Sequence, residues 1–394
     1  MAITEENVLN QNFQELTVDG VDEKDVLDTN WQFEGKNVAV YAVRGRRLQM
    51  EDRYVIKTNI MGTGISLFGI FDGHAGNFAA EYATTHLMEN LMNKIIKVKS
   101  LLNEKIRKKK ESEKLTSNTL DNVTSHMKPE IKLYSAVLDD STIDYNKNKK
   151  KRNRRKKNKQ GSLGTNNPKK NAKNVIINPS SYLLREGKIH FSKLLIDEVL
   201  AADKLLIEAA KTTSDIAGST ALIVLIDGNT LFVANVGDSR GVMCDKKGIA
   251  IPISFDHKPE QKGEKKRIEN AGGFISFNGV WRVAGILATS RALGDYPLKE
   301  NQYVIANPDV LTFDLSHHDP QFIILASDGL WDIFTNEEAV ECIKEHIDDS
   351  FYGAQYITLE SFNKGSLDNI TVLVIKFPPT WSKVSQEVNN GGCK

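Results

Sequence analysis

The sequence predicts a single α+β domain, and three observations support this fold class. Short β-branched and apolar runs outnumber helical segments along the 394 residues. Successive runs lie close together in sequence, which favours antiparallel strands over a parallel βαβ repeat. The few helical segments come in pairs, and a long Lys- and Asn-rich stretch at about 98–184 interrupts one such pair. Because those two helices are expected to pack together, the stretch is an excursion from one domain and not a boundary between two.

The N-terminal part is predicted to contain a flexible arm, three strands and a helix. Residues 1–35 are polar and acidic with little periodicity, which is typical of an arm without regular structure. Residues 37–43, 53–59 and 65–72 alternate or are apolar enough to form strands. Apolar side chains then recur at a spacing close to a helical turn over 77–97, which predicts an amphipathic helix.

The stretch at about 98–184 is predicted to be a disordered insert, because it is too polar to bury the apolar area that folding alone requires. Ten of the 13 residues from Lys147 to Lys159 are Lys or Arg. The net charge of the chain is only +1, but without residues 145–173 it has 39 basic against 51 acidic residues. The domain is therefore acidic and its insert strongly basic.

Helical and strand patterns resume after the insert. Apolar periodicity over 190–211 predicts a helix, and Asp227, Gly228 and Asn229 form a hairpin turn between two apolar runs. Further strands are expected at 219–226, 231–236, 241–244, 249–253, 274–277, 304–305, 310–313, 322–326 and 369–377. Further helices are expected at 258–271, 336–347 and 350–363. Residues 381–394 are expected to form a flexible tail.

Composition excludes several classes of protein. The three cysteines, Cys244, Cys342 and Cys393, form no CxxC or Cys/His cluster, so neither a disulfide framework nor a zinc site is indicated. No apolar run approaches the roughly 20 residues that span a bilayer, and the N-terminus lacks the basic and apolar regions of a signal peptide. We therefore expect an intracellular protein, in the cytoplasm, the nucleus or both, with no membrane insertion.

Seven carboxylates lie at turns or at the ends of apolar strands. The clearest is Asp72, which follows an apolar run and precedes Gly73 and His74. A strand end holds a carboxylate rigidly, and a glycine lets its own carbonyl approach a cation closely. One such aspartate alone is more often a turn or cap residue. Seven oxygen ligands of this kind predict a site for a hard cation such as Mg²⁺ or Mn²⁺. The seven are Glu51, Asp52, Asp72, Asp238, Asp328, Asp332 and Asp368.

Eight short motifs occur in a distinctive order: RLQMED at 47–52, FDGH at 71–74, GSTA at 218–221, VGDSR at 236–240, DHKP at 256–259, LATSRALGD at 287–295, ASDGLWD at 326–332 and DNIT at 368–371. Together they resemble the motif set of the protein phosphatase 2C family, the metal-dependent serine/threonine phosphatases. The resemblance covers about 37–97 and 187–377. It implies a β-sandwich of two antiparallel sheets flanked by helices on both sides, in α-β-β-α layers, within one catalytic domain at 36–380.

The resemblance also implies a set of metal ligands at one edge of the sandwich. Asp72 would bridge two Mn²⁺ or Mg²⁺ ions, and Gly73 would offer its carbonyl. Asp328 and Asp368 would bind one ion. The other carboxylates would act less directly, Glu51 and Asp52 by holding water bound to the ions and Asp238, with Asp328, at a weaker third site.

Two further residues would handle the phosphoryl group and the leaving group. Arg47 looks like the family's phosphate-binding arginine, and its planar fork matches a phosphate bidentately. His74 looks like the general acid that protonates the leaving seryl or threonyl oxygen. Arg44 and Arg46 are interpreted as plain surface charge. Three residues would lie behind the ligands or serve only as strand and cap residues: Thr220, Asp332 and Asn369, of which Asn369 would orient Asp368.

Residues 257–285 resemble the family's flap, a mobile segment beside the site that varies with substrate preference. Gly263, Gly272, Gly273, Gly279 and Gly285 would permit such movement. A simple glycine-rich connection is the alternative.

A cysteine-based phosphatase is excluded, because the residues six positions after Cys244 and Cys342 are Ala250 and Asp348 and not the arginine that such a loop needs. A catalytically dead relative that acts as a phosphoprotein-binding scaffold remains the alternative function; loss of a metal carboxylate would mark it, and all are present. The predicted enzyme acts as a monomer on phosphoserine and phosphothreonine proteins.

The basic run from Lys147 to Lys159 leaves several interpretations open. It suits a nuclear import receptor or a nucleic-acid backbone, although it has no aromatic residues for stacking. An acidic partner or an anionic lipid would also be attracted. A solvated low-complexity loop explains the run equally well.

Overall fold

The computed structural model describes residues 31–124 and 178–378. Contacts divide the chain into a large unit, Met1–Asn103 with Pro179–Lys394, and a small unit, Glu104–Asn178. The predicted arm up to residue 30, the basic run Lys147–Lys159 and the predicted tail lie outside the described residues. The import, nucleic-acid, lipid and partner hypotheses for the basic run therefore stay predictions. Across the described ranges, no helix combines the length and apolarity needed to cross a membrane.

The strands of the described ranges are listed here in chain order. They are β1 Trp31–Glu34, β2 Val38–Val43, β3 Arg53–Lys57, β4 Ile65–Phe71, β5 Gly73–His74, β6 Gly218–Ser219, β7 Ala221–Asp227, β8 Thr230–Val236, β9 Arg240–Cys244, β10 Ala250–Pro252, β11 Ile275–Asn278, β12 Val280–Val283, β13 Leu293–Gly294, β14 Asp309–Asp314, β15 Phe322–Ala326 and β16 Ile370–Lys376.

The α-helices are α1 Phe78–Tyr82, α2 Met88–Thr124, α3 Phe191–Thr213, α4 Lys262–Asn270, α5 Tyr296–Lys299, α6 Leu315–His318, α7 Asp328–Trp331, α8 Asn336–Glu345 and α9 Ala354–Asn363. A π-helical turn, Ala83–Leu87, joins α1 to α2. Short 3₁₀ turns occupy Ile60–Gly62, Pro179–Tyr182 and Ser350–Gly353.

Two antiparallel sheets pack face to face. One has the strand order β1-β2-β16-β15-β9-β10 and the other β14-β8-β7-β4-β3. Val40 and Leu373 of the first sheet share a buried cluster with Phe68, Val224 and Val233 of the second. Central strands such as β2 are buried at every position, because side chains on both faces of the sheet are covered.

Helices cover both outer faces of the sandwich. On the six-stranded sheet, Tyr41 and Val372 pack in one buried cluster with Ile343 of α8 and Ile357 of α9. On the five-stranded sheet, Phe191 of α3 contacts Phe232 of β8, with 5.3 Å between ring centroids. This arrangement confirms the predicted α-β-β-α layers.

Several elements differ from the sequence prediction. Trp31–Glu34, assigned above to the flexible arm, form β1 and pair with β2. Residues 98–124, assigned to the disordered insert, continue α2, and Val98 and Leu102 are buried. Pro179–Tyr182, also assigned to the insert, form a turn. Val304 and Ile305, predicted as a strand, form only an isolated bridge between Ile305 and Arg291.

Candidate metal centre

The ends of four strands meet at one edge of the sandwich. β4 ends one residue before Asp72, and β15 ends two residues before Asp328. β8 ends two residues before Asp238, and Asp368 lies two residues before β16. These carboxylates share one cleft of about 220 Å³. The cleft is lined by Arg47, Asp72, Gly73, His74, Thr220, Asp238, Arg282, Leu287, Ala288, Thr289, Asp328 and Asp368.

The carboxylates of the cleft repel one another. Burial raises the pKa of Asp72 well above its ordinary value, and the charges of Asp328, Asp52 and Asp368 raise it further. Burial, followed by the charges of Asp238 and Asp368, does the same to the pKa of Asp328. The Oδ1 atom of Asp328 is buried and accepts no hydrogen bond from any residue of the described ranges. Since uncompensated buried charge is strongly unfavourable, the donor set fits a divalent cation.

Two cationic side chains lie against these carboxylates. Arg47 Nη2 is 2.5 Å from Asp368 Oδ2, and Lys258 Nζ is 2.5 Å from Asp238 Oδ2. Burial lowers the pKa of Lys258, but the charge of Asp238 and its hydrogen bond raise it by more. Within the described ranges, no three His, Cys, Asp or Glu side chains are gathered closely enough to hold a metal ion as they stand. The aspartates thus share the cleft, and two of them, Asp238 and Asp368, form ion pairs with cationic side chains of the same chain.

Glu51 and Asp52 are not among the residues that line the cleft. Asp52 is 1% exposed and accepts hydrogen bonds from Ser327 Oγ and Thr371 Oγ1, each at 2.7 Å. Burial is the main cause that raises the pKa of Asp52 to about 6. Glu51 Oε1 accepts a hydrogen bond from the backbone N–H of Gly76 at 2.8 Å. Their predicted role in holding water therefore stays a prediction.

His74 lies in a three-stranded sheet of order β13-β6-β5 beside the cleft. Its Nε2 is 2.9 Å from Asp295 Oδ2. Burial lowers the pKa of His74, but the charge and hydrogen bond of Asp295 outweigh it and the net pKa is raised. A Cβ on Gly218 would lie 2.3 Å from His74 Nε2, so only glycine permits this pairing. Sequence analysis did not pair these residues, because they are far apart in the chain.

Thr220 and Asp332 differ in how they relate to the site. Thr220 Oγ1 accepts a hydrogen bond from the backbone N–H of Asp72 at 3.0 Å and lies 2.7 Å from Ser239 Oγ. Thr220 therefore fixes the backbone that carries Asp72. Asp332 directly follows α7 as its C-cap residue, does not line the cleft, and has a pKa raised chiefly by burial.

Asn369 and Arg46 make contacts that sequence analysis did not predict. The backbone N–H of Asn369 donates to Asp368 Oδ1 at 2.7 Å, but its side chain bonds to the loop that carries Arg47. Arg46 is not plain surface charge, because its guanidinium lies 4.2 Å from the centroid of the Phe362 ring and donates to the carbonyl of Phe362. Tertiary contacts of this kind leave no periodic or motif signal.

Known proteins that are similar to this chain are consistent with this geometry. The family model described as "Protein phosphatase 2C" matches residues 125–370, a range that contains Asp238, Asp328 and Asp368. The chain belongs to the protein phosphatase 2C family. Members are metal-dependent serine/threonine phosphatases, as the motifs predicted.

Individual relatives agree with the family assignment. "Protein phosphatase 1L" of Bos taurus is 42% identical over 358 residues, which are 90% of this chain and 77% of that protein. "Probable protein phosphatase 2C 71" of Arabidopsis thaliana is 35% identical over 88% of this chain, and the chain spans 56% of that relative's length. The solved serine-threonine phosphatase 2C from Toxoplasma gondii has a TM-score of 0.60 at 19% identity, covering 89% of this chain and all of that one. That likeness supports the fold.

Proposed function

We propose that this 2C-family phosphatase hydrolyses phosphoserine and phosphothreonine in proteins with a water activated by two Mn²⁺ or Mg²⁺ ions in the described cleft. The observation that carries the proposal is the set of mutually repelling strand-end carboxylates in the cleft. Among them, Asp328 has a buried oxygen that receives no hydrogen bond from the part of the chain that the structure describes. Such a set is stable when cations neutralise it. Its place in a cleft open to solvent is what a hydrolase needs.

The carboxylates and one backbone carbonyl would hold the ions. Asp72, Asp328 and Asp368 would hold them through carboxylate oxygens and Gly73 through its carbonyl, with Asp238 contributing to a weaker third position. When bound, the cations would lower the pKa of a shared water and neutralise charge on the phosphoryl oxygens. Thr220 would keep the Asp72 backbone in place through its hydrogen bond.

Arg47 and His74 would supply the remaining steps. The Arg47 side chain is 56% exposed at the cleft, so its guanidinium fork can bind two phosphoryl oxygens of an incoming substrate. His74 would donate a proton to the departing seryl or threonyl oxygen while Asp295 holds its ring. Four predicted carboxylates, Arg47 and His74 all line the cleft, which favours an active enzyme over the inactive scaffold; the four are Asp72, Asp238, Asp328 and Asp368.

The test is hydrolysis of a phosphopeptide by the purified protein with and without Mn²⁺. Asp328→Asn should lower kcat by about 100-fold or more, the order lost when one preorganised charge-stabilising group is removed. Asp348→Asn is the matched control, since the Asp348 side chain is 90% exposed and lies outside the cleft. Activity that needs no metal, or full activity of Asp328→Asn, would overturn the proposal.

A further inference from the structure

A single buried side chain holds both ends of the loop that carries Arg47. Asn369 is 4% exposed. Its Nδ2 donates to the carbonyl of Arg44 at 2.7 Å and to the carbonyl of Gln49 at 2.9 Å. Its Oδ1 accepts from the backbone N–H of Glu51 at 2.8 Å. Three hydrogen bonds thus fix the loop on either side of the arginine.

A second residue holds the same loop from the solvent side. Arg46 donates to the carbonyls of Phe362 and Ser366, and its guanidinium lies 4.2 Å from the centroid of the Phe362 ring. These contacts tie the loop to the end of α9 and to the turn that follows it. An exposed loop needs anchors of this kind because its backbone has few other partners.

The loop also packs directly on the backbone of a predicted metal ligand. Gly45 has a φ of +64°, and a Cβ there would lie 2.1 Å from the carbonyl oxygen of Asp368. Arg44 donates to the carbonyl of Arg47 within the loop. The loop is therefore a compact turn with little freedom, and its only long side chain at the cleft is Arg47.

We infer that Asn369 and Arg46 are positioning residues that preorganise Arg47 for the phosphoryl group. This inference rests on the phosphate-binding role proposed for Arg47. It gives the Asn369 side chain a role separate from the predicted orientation of Asp368, to which the backbone N–H of Asn369 donates. A guanidinium held in place loses less conformational entropy when it binds, which improves affinity for the phosphate. Neither residue touches the reacting atoms, so both act through the loop.

The inference is tested by steady-state kinetics on a phosphopeptide, with inhibition by inorganic phosphate and activation by Mn²⁺ measured in parallel. Asn369→Ala and Arg46→Ala should each raise KM and the phosphate inhibition constant by about 10-fold, with kcat and the Mn²⁺ activation constant nearly unchanged. Arg46→Ala tests the inference even if Asn369→Ala fails to fold, because Arg46 is exposed and its loss leaves the core intact. Arg185→Ala, at an exposed arginine elsewhere, is the control and should behave as wild type.

A double-mutant cycle separates this inference from the proposed function. In an Arg47→Ala background, Asn369→Ala and Arg46→Ala should each raise KM by less than about 2-fold further, because the side chain that Asn369 and Arg46 position is gone. The inference would be overturned if the substitutions raised KM as much in that background as in wild type, or if they raised the Mn²⁺ activation constant and left KM unchanged. If Arg47→Ala itself leaves KM and phosphate inhibition unchanged, the proposed role of Arg47 is what fails.

Discussion

The cleft histidine depends on residues far from its own motif. Asp295 faces His74 from a left-handed backbone conformation with φ 52°, just before α5. Its backbone N–H donates to the carbonyl of Ala217 at 3.1 Å. Asp203 of α3 supports the same turn, since it accepts from the backbone N–H of Gly294 at 2.9 Å and from Lys299 Nζ at 2.6 Å. A buried polar network therefore fixes the partner of the proposed acid.

Asp295→Asn should weaken proton donation by His74 without removing the phosphate site. We expect kcat for a phosphoserine peptide to fall by about 10- to 100-fold, less than the roughly 10²- to 10⁴-fold that a general acid contributes, because His74 itself is kept. Hydrolysis of p-nitrophenyl phosphate should change far less, because its leaving group departs without a proton. His74→Ala should show the same contrast more strongly. Equal losses on the two substrates in both variants would show that neither residue serves the leaving group.

The residues of the site were predictable only where their signal is local. Asp72, Asp238, Asp328 and Asp368 follow or precede apolar strands, so periodicity and turn chemistry mark them in the sequence. The side-chain contacts of Asn369 could not be predicted, because they join positions more than 300 residues apart. Arg282 likewise lines the cleft, and Lys258 pairs with Asp238 of the cleft, only through the tertiary fold.

At the scale of elements, the segment interpreted as a flap packs against the residues that follow it. Ile268 of α4 and Val283 of β12 share a small buried cluster with Val304. Within the segment, Glu264 of α4 is 6% exposed and accepts hydrogen bonds from Arg267 at 2.9 Å and Arg291 at 2.7 Å. Burial raises the pKa of Glu264, but the two arginines lower it by more, to about 2.

The stability of this segment should depend on pH in a defined direction. The folded pKa of Glu264, about 2, lies below the unfolded value, so the ion pairs contribute stability above about pH 4.5 and lose it as pH falls toward 2. The full effect is on the order of 3 kcal/mol. Glu264→Gln should therefore lower urea-unfolding stability at pH 7, and its difference from wild type should shrink by roughly 40% at pH 3.5.

Glu269→Gln is the matched control for this experiment, because Glu269 lies on the same helix and its side chain is 53% exposed. It should change stability by less than about 1 kcal/mol at any pH. A Glu264→Gln deficit that stays constant between pH 7 and 3.5 would contradict the assignment of the stability to an ionised carboxylate.

Elements were predictable where periodicity is strong and the partner is near in sequence. The helix expected at 190–211 is α3, and the strand expected at 369–377 is β16. The two-residue strands β5, β6 and β13 exist only through their pairing with one another, so no pattern marks them. The continuation of α2 was missed because the segment is polar. Ion pairs one helical turn apart, Lys108 with Glu104 and Lys109 with Glu113, support a helix there.

At the scale of the whole molecule, the sandwich core supports a cleft that is unfavourable by itself. Antiparallel pairing brings Asp72 and Asp368, nearly 300 positions apart, to one edge. Residues on the inner faces of both sheets are fully buried and supply the stability that tolerates this cluster. If the cleft is the proposed metal site, stability of the metal-free state is traded for cation binding.

Asp328→Asn should therefore have opposite effects on the stability of the metal-free protein and of the protein in Mn²⁺. Burial and acidic neighbours raise the pKa of the Asp328 carboxyl, which shows that its charge is unfavourable in the metal-free fold. Asp328→Asn removes that charge and should raise the melting temperature of the metal-free protein by a few degrees. Wild type should gain about 2.7 kcal/mol of stability with Mn²⁺ at 100 times its dissociation constant, whereas Asp328→Asn should gain far less. Thermal melts in chelator and in Mn²⁺, with Asp348→Asn as the control that follows wild type in both, measure the two terms. A variant that is less stable than wild type in chelator, or that gains as much as wild type from Mn²⁺, would show that the Asp328 carboxylate neither strains the metal-free fold nor binds the ion.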